Sequence, residues 1–446
     1  MNVITSTKYL QYLQLLQENR LTKIVKLEFL NSDGSVAFAL SNKQKRGYNT
    51  KHQSSAFIQS GTLNVSLQNG IRRKATITLS NVDNNFSYNV NNIWFGSQIR
   101  LMMGTKLFDN TEIYFPQLVG YISNPSSIFN TNSNTITFPL VDKWTYLDGS
   151  LNGTLPNAVS IPATTGKENA LFQAIVNMLQ RSLYTGEYNT TDNPVSISEK
   201  VDSVPPIFTN YYKGKTYIVG GSEETIVYKT DIPRNLINQG GSTISKVILD
   251  LNDIVVGLVG YDQTGAFRLE PSESYIDDMD KPVLWHFTPE NSHLCSIKDT
   301  IKMSEVYNDI IVVGETTTGA QVWGRATNRD SQSNTNVGSI GLKTKWVQNN
   351  SYIYPEQCIS YASYLLKKQS VLRNSISITC SQMYHLNENR VITVRRTDKR
   401  DSPIEKHLIN SFSLPIGESG AMTINATSIN DIPIMSTTSS AEGGSK

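Results

Sequence analysis

The stretch from Asn308 to Arg396 constrains the fold more than any other part of the chain. It opens with Asn308-Asp-Ile-Ile-Val-Val-Gly314, a β-branched apolar run ended by a turn signal, which predicts a strand buried on both faces. A long polar loop is expected from Glu315 to Ser351. The next segment has Pro355 in a first-turn position, where a missing N–H costs least, and Ile359, Ala362 and Leu366 at helical spacing. A helix over 353–370 follows from that spacing. Ser375 to Cys380 alternates polar and apolar, as a half-buried strand does. Arg390 to Val394 reads as its hairpin partner, returning after Asn387-Glu-Asn389. The order is strand, long loop, helix, hairpin.

Residues 1–19 are expected to hold an amphipathic helix with Tyr9, Tyr12, Leu13 and Leu16 on one stripe, capped by Ser6 or Thr7. At Leu21 the period changes from helical to alternating. Strands are predicted at Ile24 to Phe29 and Val36 to Leu40, joined by Asn31-Ser-Asp-Gly34. A longer hairpin runs from Phe57 through the Gln68-Asn69-Gly70 turn to Leu79. Further strands are read at Ile99 to Leu101, Leu118 to Ile122 and Thr135 to Leu140. So many short strands with few helices make residues 20–150 a β-barrel or sandwich.

Residues 151–300 read as an α+β region. It contains a helix over 166–184 carrying Leu171, Ile175, Met178, Leu179 and Leu183. A second helix over 243–258 carries Ile244, Val247, Ile248, Leu251 and Val255, and a hairpin after it turns at Thr264-Gly265. Between Tyr184 and Gly241 the reading is of polar loops, Pro205-Pro206 and short strand candidates at Thr216 to Val219 and Ile226 to Tyr228. Residues 301–430 hold the opening stretch and a closing hairpin, Leu408 to Thr427. The Ser/Thr/Gly-rich tail 431–446 is expected to be disordered. The hairpins at 63–81 and 408–430 share a plan of alternating apolar residues, a glycine-containing turn and a return strand ending near Asn. That echo predicts two β units of one type bracketing the middle region.

Composition narrows the function classes. A hydrophobic content of 38% with only 17% charge leaves a remainder of Asn, Ser, Thr and Gln, which suits turn-rich β structure. A net charge of +2 gives no argument for a nucleic-acid partner, and Lys43 to Arg46 and Arg395 to Arg400 read as solvated loop ends. Cys295, Cys358 and Cys380 form no CxxC pair, so neither a metal site nor a disulfide framework is implied. The N-terminus reads as no signal peptide, and no run approaches the roughly 20 apolar residues of a membrane span. A soluble chain made in a cytoplasm is expected.

Catalytic constellations were sought and none is readable. There is no Gly-x-Ser-x-Gly, His-Glu-x-x-His or phosphate loop; Gly214-Lys-Thr216 has only the end of the last. His52, His286, His293, His385 and His407 read as loop or packing residues, since the one near pair, His286 and His293, has poor metal geometry. Glu270 with Glu273 and Asp277-Asp-Met-Asp280 read as solvated acidic loops. Trp94, Trp144, Trp285, Trp323 and Trp346 are dispersed core or interface anchors. No catalytic, cofactor-binding or metal residue is therefore assigned, no cofactor is expected, and the chain is not expected to be an enzyme.

Four places together resemble the hub proteins at the tip of bacteriophage tail tubes. They are Leu118 to Ile122 with Thr135 to Trp144, Asp250 to Pro271, Asn308 to Gly314 with the helix to Lys368, and Leu408 to Thr427. The resemblance rests on order and spacing and spans most of residues 20–430. It implies a mainly β chain with an α+β middle region: tail-tube-like β-barrels at 20–150 and 301–430, with an α+β domain inserted at 151–300. It implies a homotrimeric ring in the virion, assembled in the host cytoplasm and contacting tail tube, distal tail or baseplate, tail-tip or spike and tape measure proteins. DNA would pass through the ring in transit, without specific binding. The competing readings are a receptor- or carbohydrate-binding tail-tip protein and a tail-associated cell-wall hydrolase. The loop 315–351 mixes polar residues with Val322, Trp323, Val337, Ile340, Leu342 and Trp346, so it is expected to be ordered mainly by neighbouring subunits or tail partners, the alternative being a loop folded back over its own barrel end.

Overall fold

The structure is a computed structural model. It describes residues 6–31, 34–42, 57–81, 97–124, 126–130, 133–151, 153–164, 167, 169–180, 206–208, 215–219, 222–226, 231–255, 257–271, 282–290, 294–301, 306–316, 318–350, 352–370, 374–429 and 435–439.

The first helix, α1 (Ser6–Gln17), buries Tyr12, Leu15 and Leu16, a stripe at helical spacing. Eight strands follow: β1 (Lys23–Leu30), β2 (Val36–Ser41), β3 (Phe57–Ser66), β4 (Arg73–Ser80), β5 (Gln98–Lys106), β6 (Glu112–Ile122), β7 (Ser126–Asn130) and β8 (Ser133–Asp142). Alternation decides which face each strand buries. In β4 the residues Ala75, Ile77 and Leu79 point inward while Lys74 and Thr76 point out.

The middle region holds β9 (Val159–Ile161), α2 (Ala170–Gln180), β10 (Ile207–Phe208), β11 (Lys215–Val219), β12 (Ser222–Ile226), β13 (Leu236–Asn238), α3 (Ile244–Val255), β14 (Gly257–Tyr261) and β15 (Phe267–Pro271). Its own core joins Leu171, Ile175 and Leu179 of α2 to Val247, Ile248 and Leu251 of α3, with Phe267, Leu269 and Trp144 beneath. The hairpin β14–β15 turns where the sequence placed it. Gly265 has φ 78°, and the Asp262 carboxylate accepts the N–H groups of Thr264 and Ala266.

The C-terminal part contributes β16 (Val283–Phe287), β17 (Leu294–Ile301), β18 (Asp309–Glu315), β19 (Gln321–Asn328), α4 (Val337–Ile340), β20 (Thr344–Gln348), α5 (Pro355–Gln369), β21 (Asn374–Cys380), β22 (Val391–Arg395), β23 (Ile404–Ile416), β24 (Met422–Ser428) and β25 (Met435–Ser439). Here the structure departs from the sequence reading in several places. The expected polar loop 315–351 is mostly folded. Its β19 and β20 flank β18, antiparallel and parallel respectively, and α5 packs on the β18–β19 pair. β21 and β22 do not form a hairpin; β21 pairs with β17 and β24, and β22 with β16 and β23. Residues 435–439 of the supposedly disordered tail are a strand laddered onto β19.

The two expected barrels are also corrected. The strands of the first and last parts form one continuous 14-stranded sheet, with a main path β17-β21-β24-β23-β3-β4-β8-β6-β5-β1-β2. The sheet curls until β2 comes beside β3, but no ladder joins them. The reason is that both sides of β3 are already used, one by β4 and the other, over Gly61–Ser66, by Ile416–Ser411 of β23. At 13 residues, β23 is long enough to serve two partners: Ile404–Leu408 pairs with β22, and its second half with β3. The echoing hairpins β3–β4 and β23–β24 thus lie side by side in the order β24-β23-β3-β4. A single core runs beneath the whole sheet, including Leu63, Ile77 and Phe138 from one end of the chain and Ile378, Phe412 and Ile424 from the other.

Candidate functional site: a buried polar junction and an exposed apolar edge

Three parts of the chain meet at Arg72 and Arg73, where β4 begins. Their backbone N–H groups both donate to Asp142 Oδ2, at 2.7 and 2.9 Å, and Asp142 Oδ1 accepts from Trp144 N–H. Asp142 thereby also caps the 3₁₀ turn Lys143–Tyr146 that leads out of the sheet. Burial pushes its carboxyl up to about 6 against the pull of those donors. The Arg73 side chain is fully buried. It donates to the Gln117 carbonyl at 2.8 Å, to Asn387 Oδ1 at 3.1 Å and to the Glu388 carboxylate. Next to it, Asn389 donates to Glu270 Oε2 at 2.8 Å, tying the same segment to β15. Arg72 crosses over Gly260, where a Cβ would strike its side chain, and Asn69 Oδ1 accepts Val259 N–H. Lys143 Nζ donates to the Gly265 carbonyl at 3.0 Å. The junction holds β4, the β14–β15 hairpin and the 384–389 segment in fixed relation.

Sequence reasoning missed these residues because their pairing is long-range. Neither Arg72 nor Arg73 is singled out in the sequence reading, and Asn387-Glu-Asn389 enters it only as the connection before a returning strand. The weak signal was an Arg pair opening an otherwise well-alternating strand.

The histidines separate by position. His286 Nδ1 lies 2.6 Å from Thr393 Oγ1, across the β16–β22 pair. His385 is buried between α1 and β16: Tyr12 Oη is 3.1 Å from its Nδ1 and accepts Tyr384 N–H at 3.0 Å. Desolvation pulls the His385 imidazole down to about 4. His407 is fully buried and also falls to about 4, through desolvation opposed by the Glu405 carboxylate 3.5 Å away. His52 and His293 lie outside the described residues, as do Glu273, Asp277, Asp278 and Asp280. Among the described residues no group of three or more His, Cys, Asp and Glu is placed to hold a metal ion.

The remaining sequence candidates fall into place as structure. Lys215 and Thr216 lie in β11, a strand paired with β12, and Gly214 is outside the described residues. Cys358 and Cys380 are buried free thiols, and burial pushes the Cys358 thiol up to about 12. The basic run at 395–400 is paired within itself and with neighbours: Arg396 reaches Asp299 at 2.7 Å and Asp398 at 2.6 Å, and Lys399 reaches Glu405 at 2.6 Å. The run Lys43 to Arg46 and Trp94 lie outside the described residues. Trp144 and Trp285 are core residues, whereas Trp346 is 61% exposed on β20, with exposed Ile340 and Leu342 just before it.

No sequence model of a known family matches the chain, and no curated protein matches it. Solved structures do. The tail protein from Neisseria meningitidis superposes with a TM-score of 0.54 at 7% identity, over 91% of this chain and 96% of that one. The 43 kDa tail protein of a Shewanella oneidensis prophage gives 0.52 at 12% identity, over 91% and 98% of the two chains. A prophage tail protein from Listeria monocytogenes gives 0.50 at 8% identity, over 91% and 94%. This is a likeness of fold across nearly the whole of each chain. The protein has the fold of these tail proteins.

Proposed function

We propose that the chain is a structural hub of a phage tail: a homotrimeric ring in the virion that joins the tail tube to baseplate or tip proteins and leaves a channel for DNA. The observation that carries this reading is the end-to-end match to tail proteins, 91% of this chain against 94–98% of each of theirs. A match of that extent concerns the whole architecture and not one borrowed domain. The internal construction suits such a part. Strands from its first and last parts share one sheet, and the buried Arg73–Glu388 pair is an internal joint. The hub works through its surfaces, has no catalytic step of its own, and does not grip DNA phosphates.

Light scattering on the purified chain, paired with negative-stain images, tests the reading. A threefold ring with a central hole is expected. A monomer with a cleft, or a zymogram in which the pure protein clears peptidoglycan, would overturn it in favour of a tail-associated hydrolase.

A further inference from the structure

Trp323 and Trp346, which the sequence places in one polar loop, come to share one face of the sheet β20-β18-β19-β25. The ladders fix this. One row across the four strands is Trp346, Ile311, Arg325, Thr438, and the next is Gln348, Val313, Trp323. The opposite face belongs to α5. A Cβ at Gly324 would strike the Ile359 backbone in α5, and one at Gly314 the Tyr352 backbone just before it. Side chains alternate along a strand, so Val313, Trp323 and Arg325, the neighbours of these glycines, point away from α5. Their side of the sheet is open to solvent: Trp346 is 61% exposed, Thr438 and Gln348 are exposed, and Ile311, Trp323 and Arg325 are half-buried.

The apolar groups make a diagonal belt, from Trp346 over Ile311 and Val313 to Trp323. Two strands and two residues separate the tryptophan positions, about 12 Å on the sheet, enough to seat two units of one oligomeric ligand. The polar groups beside the belt are fixed in place. The Asp309 carboxylate accepts from Arg325 Nε at 2.7 Å and Nη2 at 3.1 Å, and from the Thr327 and Thr344 hydroxyls at 2.7 Å each. Arg325 is thus clamped next to Ile311 with its side chain 37% exposed, and its other guanidinium N–H groups find no acceptor among the described residues. Since Asp309 already matches its charge, those N–H groups suit a neutral oxygen better than a carboxylate or phosphate. Gln348 presents an exposed amide on the other side of the belt. The remaining charge that these strands put on this face is Glu315, two residues beyond Val313, so an anionic ligand meets no net positive charge here. Lys343 and Lys345 hold their ammonium groups over the Tyr307 ring.

We propose that this open sheet face binds a neutral glycan chain, with one pyranose unit stacked on Trp346 and another on Trp323. The C–H face of a sugar ring covers an indole and leaves hydroxyl groups at its rim. One ligand then supplies both the apolar contact for the belt and the neutral oxygens that Arg325 and Gln348 can address. The clamp on Arg325 also means that its donors are set before the ligand arrives, which lowers the ordering cost of binding. The site goes beyond the hub reading and does not depend on it.

The experiment exposes the full chain to an array of neutral hexose and N-acetylhexosamine oligomers, cellotetraose and chitotetraose among them, with a sulfated polysaccharide as the anionic control. The oligomers that bind are then titrated by calorimetry. Saturable binding of a neutral oligomer, and none of the sulfated chain, is expected. Trp346→Ala, at an exposed position, should keep the wild-type melt and weaken that binding about tenfold or more. Trp323→Ala should weaken it as well. An array without a neutral ligand, a preference for the sulfated chain, or binding that Trp346→Ala leaves unchanged overturns the site. A chain that binds no sugar but loses mass in solution on Trp346→Ala also overturns it, and marks the face as a protein interface. The hub reading fails separately, when the wild-type chain forms no ring.

Discussion

Two buried contacts, Tyr12 with His385 and Arg73 with Glu388, show how single residues hold this molecule together. Tyr12 anchors α1 through one hydroxyl that serves both His385 and the Tyr384 N–H. Tyr12→Phe keeps the ring and strands both partners, so a loss of about 1–3 kcal/mol is expected in a denaturant titration. His385 sets a pH dependence. Its folded pKa, about 4, lies below the ordinary 6.5, so between those values the unfolded chain takes up a proton that the folded chain refuses. The stability is complete above 6.5 and is lost as pH falls towards 4. At one pKa unit per 1.36 kcal/mol the loss from this group is about 3 kcal/mol at the lower end. His385→Gln should flatten the acid limb of a stability–pH curve; an unchanged limb would assign the effect elsewhere, with His407 the first alternative. Arg73 and Glu388 make the second case. Arg73→Met leaves a buried carboxylate without its cation and should cost about 3–5 kcal/mol, and Arg73→Met with Glu388→Met should recover much of it. A double-mutant cycle with no coupling would show that the pair is not the joint described above.

At the scale of elements, the module of β18, β19, β20, β25 and α5 depends on two close approaches. A Cβ at Gly324 would fall 2.6 Å from the Cys358 carbonyl carbon at the start of α5, and one at Gly314 would run into the Tyr352 backbone. Gly324→Ala must push α5 off the strands, and a destabilisation of about 1–3 kcal/mol is expected from overpacking. A melt at the wild-type temperature would mean that the helix rides further from the sheet. This module also marks where sequence reading worked and where it stopped. Pro355 and the Ile359, Ala362, Leu366 spacing placed α5 to within two residues at each end, because helix signals are local. The β-branched run placed β18 equally well. β19 was lost in a supposed loop because Gly324, which α5 requires, and the polar Arg325, Thr327 and Asn328 broke the apolar pattern. Those polar residues are satisfied by partners on other segments: Arg325 and Thr327 both reach the Asp309 carboxylate. Neighbouring strands were invisible for the same reason. Ser375 to Cys380 announces a strand, but nothing in it says that β17 and β24, not β22, lie beside it. The candidate joints at Arg73 and Asn389 belong to that non-local class, whereas the exposed Trp346 edge was flagged by its awkward mixture of polar and apolar residues.

At the scale of the whole molecule, the pairing of β3 with β23 decides what can fold alone. Leu63 and Leu414 face each other across that ladder, and the core below it draws on strands from both ends of the chain. Residues 20–150 were read as a self-sufficient unit, yet in the structure β3 has β23 on one side, and Phe115 packs against Tyr12 of α1 with a centroid separation of 4.6 Å. A fragment covering 20–150 would expose the β3 edge and lose the Phe412, Leu414 and Ile424 side of its core. Each such side chain returned to water costs about 1.5–3 kcal/mol, so a few of them exceed the net stability of an ordinary domain. The fragment is expected to be a collapsed or aggregating species without slow-exchanging amides in β3. Hydrogen exchange on the full chain supplies the complementary measurement. β3, β4, β23 and β24 should exchange together with the highest protection, since they open only when the shared sheet does, while β18, β19 and α5, which have a separate core, can open on their own. Protection of β3 that differs widely from that of β23, or a fragment with native-like protection, would mean that the two ends are separate units that merely touch.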